Sequence, residues 1–204
     1  VQNGYELVPF SEKADIYIVN TCSVTNIADR KSRQMLHRGK KMNPDALVVA
    51  VGCYVQTAGA EAVLADGTVD IVVGNNRKKE IVEILKQYER EQAVNTNVVD
   101  IQFEKEYEAL QIETVTEHTR AYIKVQDGCN QFCSYCIIPY ARGRIRSRKQ
   151  SEVLAEIRRL VKEGYQEIVM TGIHLSSYGV DFKEEERESL LSLIQAVHEV
   201  EGIQ

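Results

Sequence analysis

ADIYIVNTCSVTNIADRKSRQMLHRGKKMNPDALVVAVGC, residues 14–53, contains two short apolar runs, and each ends in a cysteine. Ala14–Asn20 is rich in β-branched and aromatic residues and too short for a core helix, so it reads as a buried strand. Thr21–Thr25 forms a loop. Thr25 or Asn26 then caps a helix running to about Lys41, with Asp29 in its first turn, where a negative charge suits the helix dipole. Asn43-Pro44-Asp45 ends that helix and reverses the chain. Ala46–Val51 is the next strand, followed by Gly52-Cys53.

The alternation continues outward. A helix is expected over Thr57–Leu64, a strand over Asp70–Val73, a loop at Gly74-Asn75-Asn76, a helix over Lys78–Arg90 and a further strand near Asn97–Ile101. Strands alternating with helices imply a mostly parallel sheet covered on both faces. The first domain, residues 1–92, is therefore expected to be an open, flavodoxin-like α/β sheet. Cys22 and Cys53 both follow strands, at the carboxyl edge where such sheets form their binding crevices. Two isolated buried cysteines would give the same pattern.

Residues 93–117 lose apolar periodicity and read as a linker, although Phe103, Tyr107, Leu110 and Ile112 are available to pack. The second domain, 118–204, opens on a strand at Arg120–Gln126. A helix follows from Ser147 or Ser151 to about Glu163, with Val153, Leu154, Ile157, Leu160 and Val161 on one face and Gly164 as its stop. Glu167–Met170 is a strand and Ser189–Val200 an amphipathic helix. Strand, functional loop, helix and strand again is how a β/α barrel begins, with its sites at the carboxyl ends of the strands.

Between that first strand and helix lies Gly128-Cys129-Asn130-Gln131-Phe132-Cys133-Ser134-Tyr135-Cys136. Three thiols within eight residues can turn toward one point, and thiolates favour zinc, copper(I) or iron–sulfur centres over hard cations. A structural zinc site closes its tetrahedron with a fourth Cys or His, and neither occurs in the thirty residues after Cys136. An iron–sulfur cubane on three thiolates instead keeps one iron open to a small chelating ligand.

The 204 residues carry 25 Lys+Arg against 30 Asp+Glu, a formal net charge of −5. That excludes a generic basic nucleic-acid coat while allowing local basic patches. Five cysteines, an odd number with three in one loop, suit metal-binding thiols in a reducing cytoplasm better than a secreted disulfide scaffold. No apolar run approaches the length of a membrane span. The chain opens at Val1-Gln2-Asn3-Gly4 without Met and closes soon after an amphipathic helix, so it is expected to be a subregion of a longer protein.

GCNQFCSYCIIPYARGRIRSR, residues 128–148, resembles the cluster loop of the radical S-adenosylmethionine (SAM) enzymes, in particular their methylthiotransferase branch. The resemblance implies a 4Fe-4S cluster on Cys129, Cys133 and Cys136 with SAM chelated on the open iron and Tyr135 beside its adenine. It also implies a partial β/α barrel of which this chain holds only the first units. NTCSVTNIADRKSRQ, residues 20–34, is similar to the amino-terminal domain of that branch, where three cysteines hold a second 4Fe-4S cluster used in sulfur insertion. Cys22 and Cys53 match two of them, and the third is expected upstream of Val1.

TGIHLSSYG, residues 171–179, matches a loop that touches the methionine part of SAM. Backbone donors and the close approach allowed by Gly172 suit a zwitterion there, with Thr171 beside it; a structural turn would have the same wording, and His174 belongs more naturally to the turn. The two motifs are most similar to the enzymes acting on N6-threonylcarbamoyladenosine of tRNA beside the anticodon. Isopentenyladenosine enzymes usually carry an Arg-Glu pair where this chain has Val24-Thr25-Asn26, and ribosomal-protein enzymes differ in the same segment. The implied partners are tRNA and a reductant such as flavodoxin or ferredoxin.

Two basic stretches stand outside these motifs. Arg30, Lys31, Arg33, His37, Arg38, Lys40 and Lys41 share one helix with Asp29 as the single acid between Ala28 and Met42. They form either a solvated face or a contact for RNA phosphates. Arg142, Arg144, Arg146, Arg148 and Lys149 follow the cysteine loop and serve either substrate RNA or the fold. The alternative of another class is a non-enzymatic, zinc-dependent RNA-binding module.

Overall fold

The computed structural model describes residues 3–91, 95–108 and 120–203. These fall into two compact units: the residues up to Glu104 together with Cys133–Arg142, and Lys105–Phe132 together with the residues from Gly143 onward. Leu110, Ile112 and much of the 93–117 segment lie outside the described residues.

In the first unit β1 (Ile16–Thr21), β2 (Leu47–Gly52), β3 (Ile71–Val73) and β4 (Asn95–Asn97) form a sheet in the order β1-β2-β3-β4, every pair parallel. The order runs without the reversal that marks a doubly wound sheet. Helix α1 (Asn26–Met42) joins β1 to β2. The Thr25 hydroxyl accepts from the Ala28 amide at 3.1 Å, satisfying one of the free donors of the first turn. Gly39 lets the helix close on the sheet: a Cβ there would stand 3.0 Å from Cγ of Tyr17.

Tyr17, Val19, Val48, Ala50 and Val72 pack on one side of the sheet with Leu36, Val55 and Val63. Val49, Val51, Ile71 and Val73 pack on the other with Ile84 and Leu85 of α4 (Ile81–Glu91). Burial on both faces is what the unbroken Val-rich runs require.

Two expectations for this unit are corrected. The helix expected over Thr57–Leu64 is two, α2 (Cys53–Ala58) and α3 (Ala60–Leu64). Gly52, at φ +102°, turns straight from strand to helix, and Gly59, at φ +86°, breaks it. The strand expected near Asn97–Ile101 ends at Asn97. Beyond it the Asp100 carboxylate accepts from the Gln102 amide at 3.1 Å, bending the chain into a turn that buries Ile101.

In the second unit β5 (Arg120–Asp127) pairs in parallel with β7 (Glu167–Gly172) through helix α6 (Gln150–Lys162). The two-residue strand β6 (Arg146–Ser147) runs antiparallel on the other side of β5. Another short element, α5 (Ile138–Arg142), belongs to the first unit. Ala121, Ile123 and Val125 meet Val153, Ile157 and Leu160 of α6, with Leu193 and Val197 of α7 (Leu190–His198) completing the core. Helix α6 starts after Lys149 rather than at Ser147. The Ser147 amide and hydroxyl are instead held by the Asp181 carboxylate, the former at 2.8 Å. Among the described residues no helix is long and apolar enough to cross a membrane.

Gly128 ends β5 at φ +72°, and a Cβ there would lie 1.8 Å from the Arg144 carbonyl oxygen. Gly128→Ala is therefore expected to destabilise the second unit by about 3 kcal/mol, combining backbone strain with a backbone clash. Urea unfolding should show a lower midpoint with little change in slope.

Candidate functional site

Parallel pairing carries three functional groups to one edge of the first sheet. Thr21 of β1 is the register partner of Gly52 of β2, so Cys22 and Cys53 are the next positions along neighbouring strands, which run about 4.8 Å apart in a sheet. The loops behind them are laced together. The Thr21 hydroxyl donates to Val51 O at 2.7 Å and accepts from the Tyr54 amide at 3.2 Å, while Thr57 Oγ1 donates to Ser23 Oγ at 3.1 Å. Ser32 of α1 fixes the Cys22 backbone from both sides, accepting from its amide and donating to its carbonyl.

The next strand end supplies an amide. Asn75, two residues past β3, is only 2% exposed. Its Nδ2 donates to the Ala141 carbonyl of α5 at 2.6 Å and lies 3.5 Å from Cys53 Sγ. Its Oδ1 is buried and has no hydrogen-bond partner among the described residues. Helix α2, which begins at Cys53, packs against α5. Gln102 Nε2 adds a 2.6 Å bond to the Pro139 carbonyl. One side chain thus joins the Cys53 thiol to the helix that follows Cys136. Cys136 itself turns back on Cys133 through a 2.9 Å amide-to-carbonyl bond, and Cys133 and Tyr135 are exposed.

In the second unit, β5 presents Gly128-Cys129 at its carboxyl end. The Cys129 amide donates to Gly143 O at 3.1 Å, and Asn130 Oδ1 accepts from the Ile145 amide at 3.1 Å. The Gln131 amide stands 3.5 Å from Cys129 Sγ, and the Arg144 guanidinium covers the Phe132 ring at 4.4 Å.

Sequence reading missed Gln126, which is fully buried. Its Nε2 donates to the carbonyls of Asp127 and Gly128, both at 2.8 Å, and its Oε1 accepts from the His174 amide at 2.8 Å. It clamps the start of the cysteine loop to the loop after β7. Gly172 leaves room for this contact, since a Cβ there would stand 3.0 Å from Gln126 Oε1. Thr171 Oγ1 donates to Ile123 O at 3.3 Å, and His174 Nδ1 pairs with Ser177 Oγ at 2.6 Å. The available signal was a Gln-Asp pair that breaks the alternation of apolar and exposed residues at the end of the strand.

The basic run after the cysteines divides. Arg146 and Arg148 are buried, the first beside Asp127 and the second bonded to Glu156. A buried guanidinium without such a carboxylate would be strongly destabilising, so these two serve the fold. Arg144 and Lys149 face solvent. Burial pushes the Tyr107 and Tyr178 phenols above their ordinary range, so both stay protonated as donors, to Lys124 O and Arg148 O, each at 2.7 Å.

Among the described residues no three His, Cys, Asp or Glu side chains converge on a common metal position. The donor chemistry nevertheless fits a thiolate-held centre. All five cysteines are free thiols, and N–H groups of Gln131 and Asn75 point at Cys129 and Cys53 sulfur, the contacts that tune cluster thiolates.

Residues 1–74 match the uncharacterized protein family UPF0004 and residues 123–201 match the radical SAM superfamily. The threonylcarbamoyladenosine tRNA methylthiotransferase MtaB of Bacillus subtilis (strain 168) is 44% identical over 98% of this chain and 44% of its own length. The MtaB of Aquifex aeolicus (strain VF5) is 41% identical over 100% of the chain and 48% of its own length. Along nearly its whole length the chain is similar to radical SAM methylthiotransferases.

A relative with another printed activity is also similar. The tRNA-2-methylthio-N(6)-dimethylallyladenosine synthase of Clostridium tetani (strain Massachusetts / E88) is 36% identical over 98% of the chain and 45% of its own length. The chain spans less than half the length of these curated relatives. Among solved structures, the radical SAM methyltransferase TsrM of Kitasatospora setae, with tryptophan and a SAM analogue bound, shares the fold with a TM-score of 0.52. It is 16% identical and covers 82% of this chain and 38% of its own. The fold is a radical SAM-type α/β fold with parallel sheet pairing.

Asn75→Ala is expected to cost about 1–3 kcal/mol by leaving the Ala141 carbonyl buried and unpaired. It should also speed tryptic cleavage after Arg142. An unchanged cleavage rate would mean that Asn75 does not hold α5.

Proposed function

We propose that this chain is part of a tRNA methylthiotransferase that adds sulfur and a methyl group at C2 of N6-threonylcarbamoyladenosine beside the anticodon. The observation that carries the reading is the 44% identity to a protein of that printed activity along nearly the whole chain. Cys129, Cys133 and Cys136 would hold a 4Fe-4S cluster, and Cys22 and Cys53 would supply two of the ligands of a second, completed by a cysteine preceding Val1. Bound cluster and SAM supply the one-electron chemistry.

The chain's own residues position these groups. Gln126 sets the distance between the cysteine loop and the loop after β7, where Thr171 and Gly172 would line SAM. Tyr135, 91% exposed, would cover the adenine. Asn75 donates toward Cys53 sulfur while holding α5. In the same reading β5–α6–β7 are the first units of a partial barrel. The enzyme would work in the cytoplasm, reduced by a flavodoxin or ferredoxin.

Mass spectrometry of tRNA nucleosides tests the substrate. Cells lacking the gene should lose methylthio-threonylcarbamoyladenosine and regain it with the full-length protein, but not with its Cys129→Ala variant. Loss of the methylthio-isopentenyl nucleoside instead would transfer the enzyme to the substrate class of the dimethylallyladenosine relatives, and no nucleoside change would exclude both.

Cofactor content is tested separately. In the full-length protein reconstituted anaerobically with iron and sulfide, Cys129→Ala or Cys53→Ala should each lower bound iron by about half, each removing one cluster. Stoichiometric zinc with no cubane absorption would favour the RNA-binding module.

A further inference from the structure

The basic face of α1 has no part in the chemistry assigned so far. Several cations of this helix are already engaged: Arg33 with Asp29 at 3.1 Å, His37 with Asp66 at 3.5 Å and Lys40 with Asp70 at 3.0 Å. Arg38 stacks over Phe10 with its guanidinium 5.8 Å from the ring centre. Arg30, Lys31 and Lys41 are exposed and make no ion pair among the described residues. Arg30, Gln34, Arg38 and Lys41 follow the spacing i, i+4, i+8, i+11, which lines them along one side of the helix over about 16 Å.

The stripe has a direction. Its amino-terminal end is tied to the Cys22 backbone by the two Ser32 hydrogen bonds. Beside that end, Val24 and Ile27 stand 46% and 68% exposed. Apolar side chains left in water on either side of the cap of a helix whose following turns are cationic suit a ligand with a charged backbone and flat apolar faces. Single-stranded RNA has both, with phosphates for the cations and bases for the apolar pair.

We infer that the exposed face of α1 is a phosphate-binding track that leads the substrate RNA toward the Cys22–Cys53 edge of the first sheet. The inference rests on the tRNA reading above and adds where on this chain the RNA lies. With an overall charge of −5 the chain offers RNA no general attraction, so a local row of unpaired cations is what would hold it.

The test uses the full-length protein and fluorescently labelled tRNA from cells lacking the gene, titrated at several potassium chloride concentrations. The variant Arg30→Gln/Lys31→Gln/Lys41→Gln should bind at least about tenfold more weakly and show a salt slope smaller by about 2, since each lost phosphate contact removes 0.7–0.9. The charge-conserving Arg30→Lys/Lys31→Arg/Lys41→Arg variant should bind as the natural protein does, which separates loss of charge from loss of fold. Lys13→Gln/Lys86→Gln/Arg90→Gln, with the same charge removed elsewhere on the unit, should have little effect.

Unchanged affinity and slope in the α1 variant, with tRNA bound by the natural protein, would overturn the track and leave the methylthiotransferase reading intact. Equal weakening by the Lys13/Lys86/Arg90 variant would overturn it too, showing diffuse attraction. If the natural protein binds no tRNA, the reading of function falls and the track with it.

Discussion

Parallel pairing of β1 with β2, with Thr21 opposite Gly52, is the constraint on which the first unit's chemistry depends. Two parallel neighbours must be joined by a crossover, here α1, so their carboxyl ends emerge on the same edge. Whatever follows the last paired residue of each strand is therefore delivered side by side. In this chain both residues are cysteines. A slip of one residue would face Cys22 against a strand position and turn alternate side chains to the opposite face. The buried Tyr17 and Val19 on one face and the covered Val49 and Val51 on the other resist that slip.

The second unit solves a different problem with polar groups. Its cysteine loop leaves β5 through a left-handed glycine, crosses the Arg144 carbonyl at a distance no side chain permits, and is tethered by Gln126. Tethering by a buried amide is directional where apolar packing is not. Gln126 uses both amide hydrogens and its oxygen, so it accepts only one arrangement of the two loops it connects. Arg146 and Arg148 act alongside it: their carboxylate partners Asp127 and Glu156 lie on β5 and α6, and β6 is held between them. Directional bonds of this kind hold the start of the loop in one conformation, and such preorganisation lowers the conformational cost of binding a ligand there.

Much of this was legible in the chain. Runs such as Leu47–Gly52 and Ile71–Val73 are too apolar and β-branched to be anything but covered strands, and Thr25, Ser189 and Gly164 mark helix ends by local chemistry. The illegible parts share a physical character. The break at Gly59 and the immediate helix at Cys53 depend on glycine φ values that the sequence permits but does not compel. Ser147 looks like a cap until Asp181, 34 residues away, takes both its donors. Asn75 reads as a loop residue because its partners, Cys53 and Ala141, are 22 and 66 residues distant. Local signals encode elements, whereas the site is made of long-range polar contacts whose participants are individually unremarked.

Asn75 also shows why a buried, incompletely satisfied side chain can be retained. Among the described residues its Oδ1 lacks a partner, at a position where an apolar residue of similar size would avoid that cost. Leucine would fill the space but could neither hold the Ala141 carbonyl nor place an N–H against the Cys53 sulfur. Packing energy alone therefore favours replacement. The amide is explained by what it connects, the thiol opening α2 and the helix following Cys136. A single rigid donor shared between them fixes their separation more tightly than two independent apolar contacts would, so the stability surrendered at Oδ1 is exchanged for alignment of two thiol-bearing segments far apart in the chain.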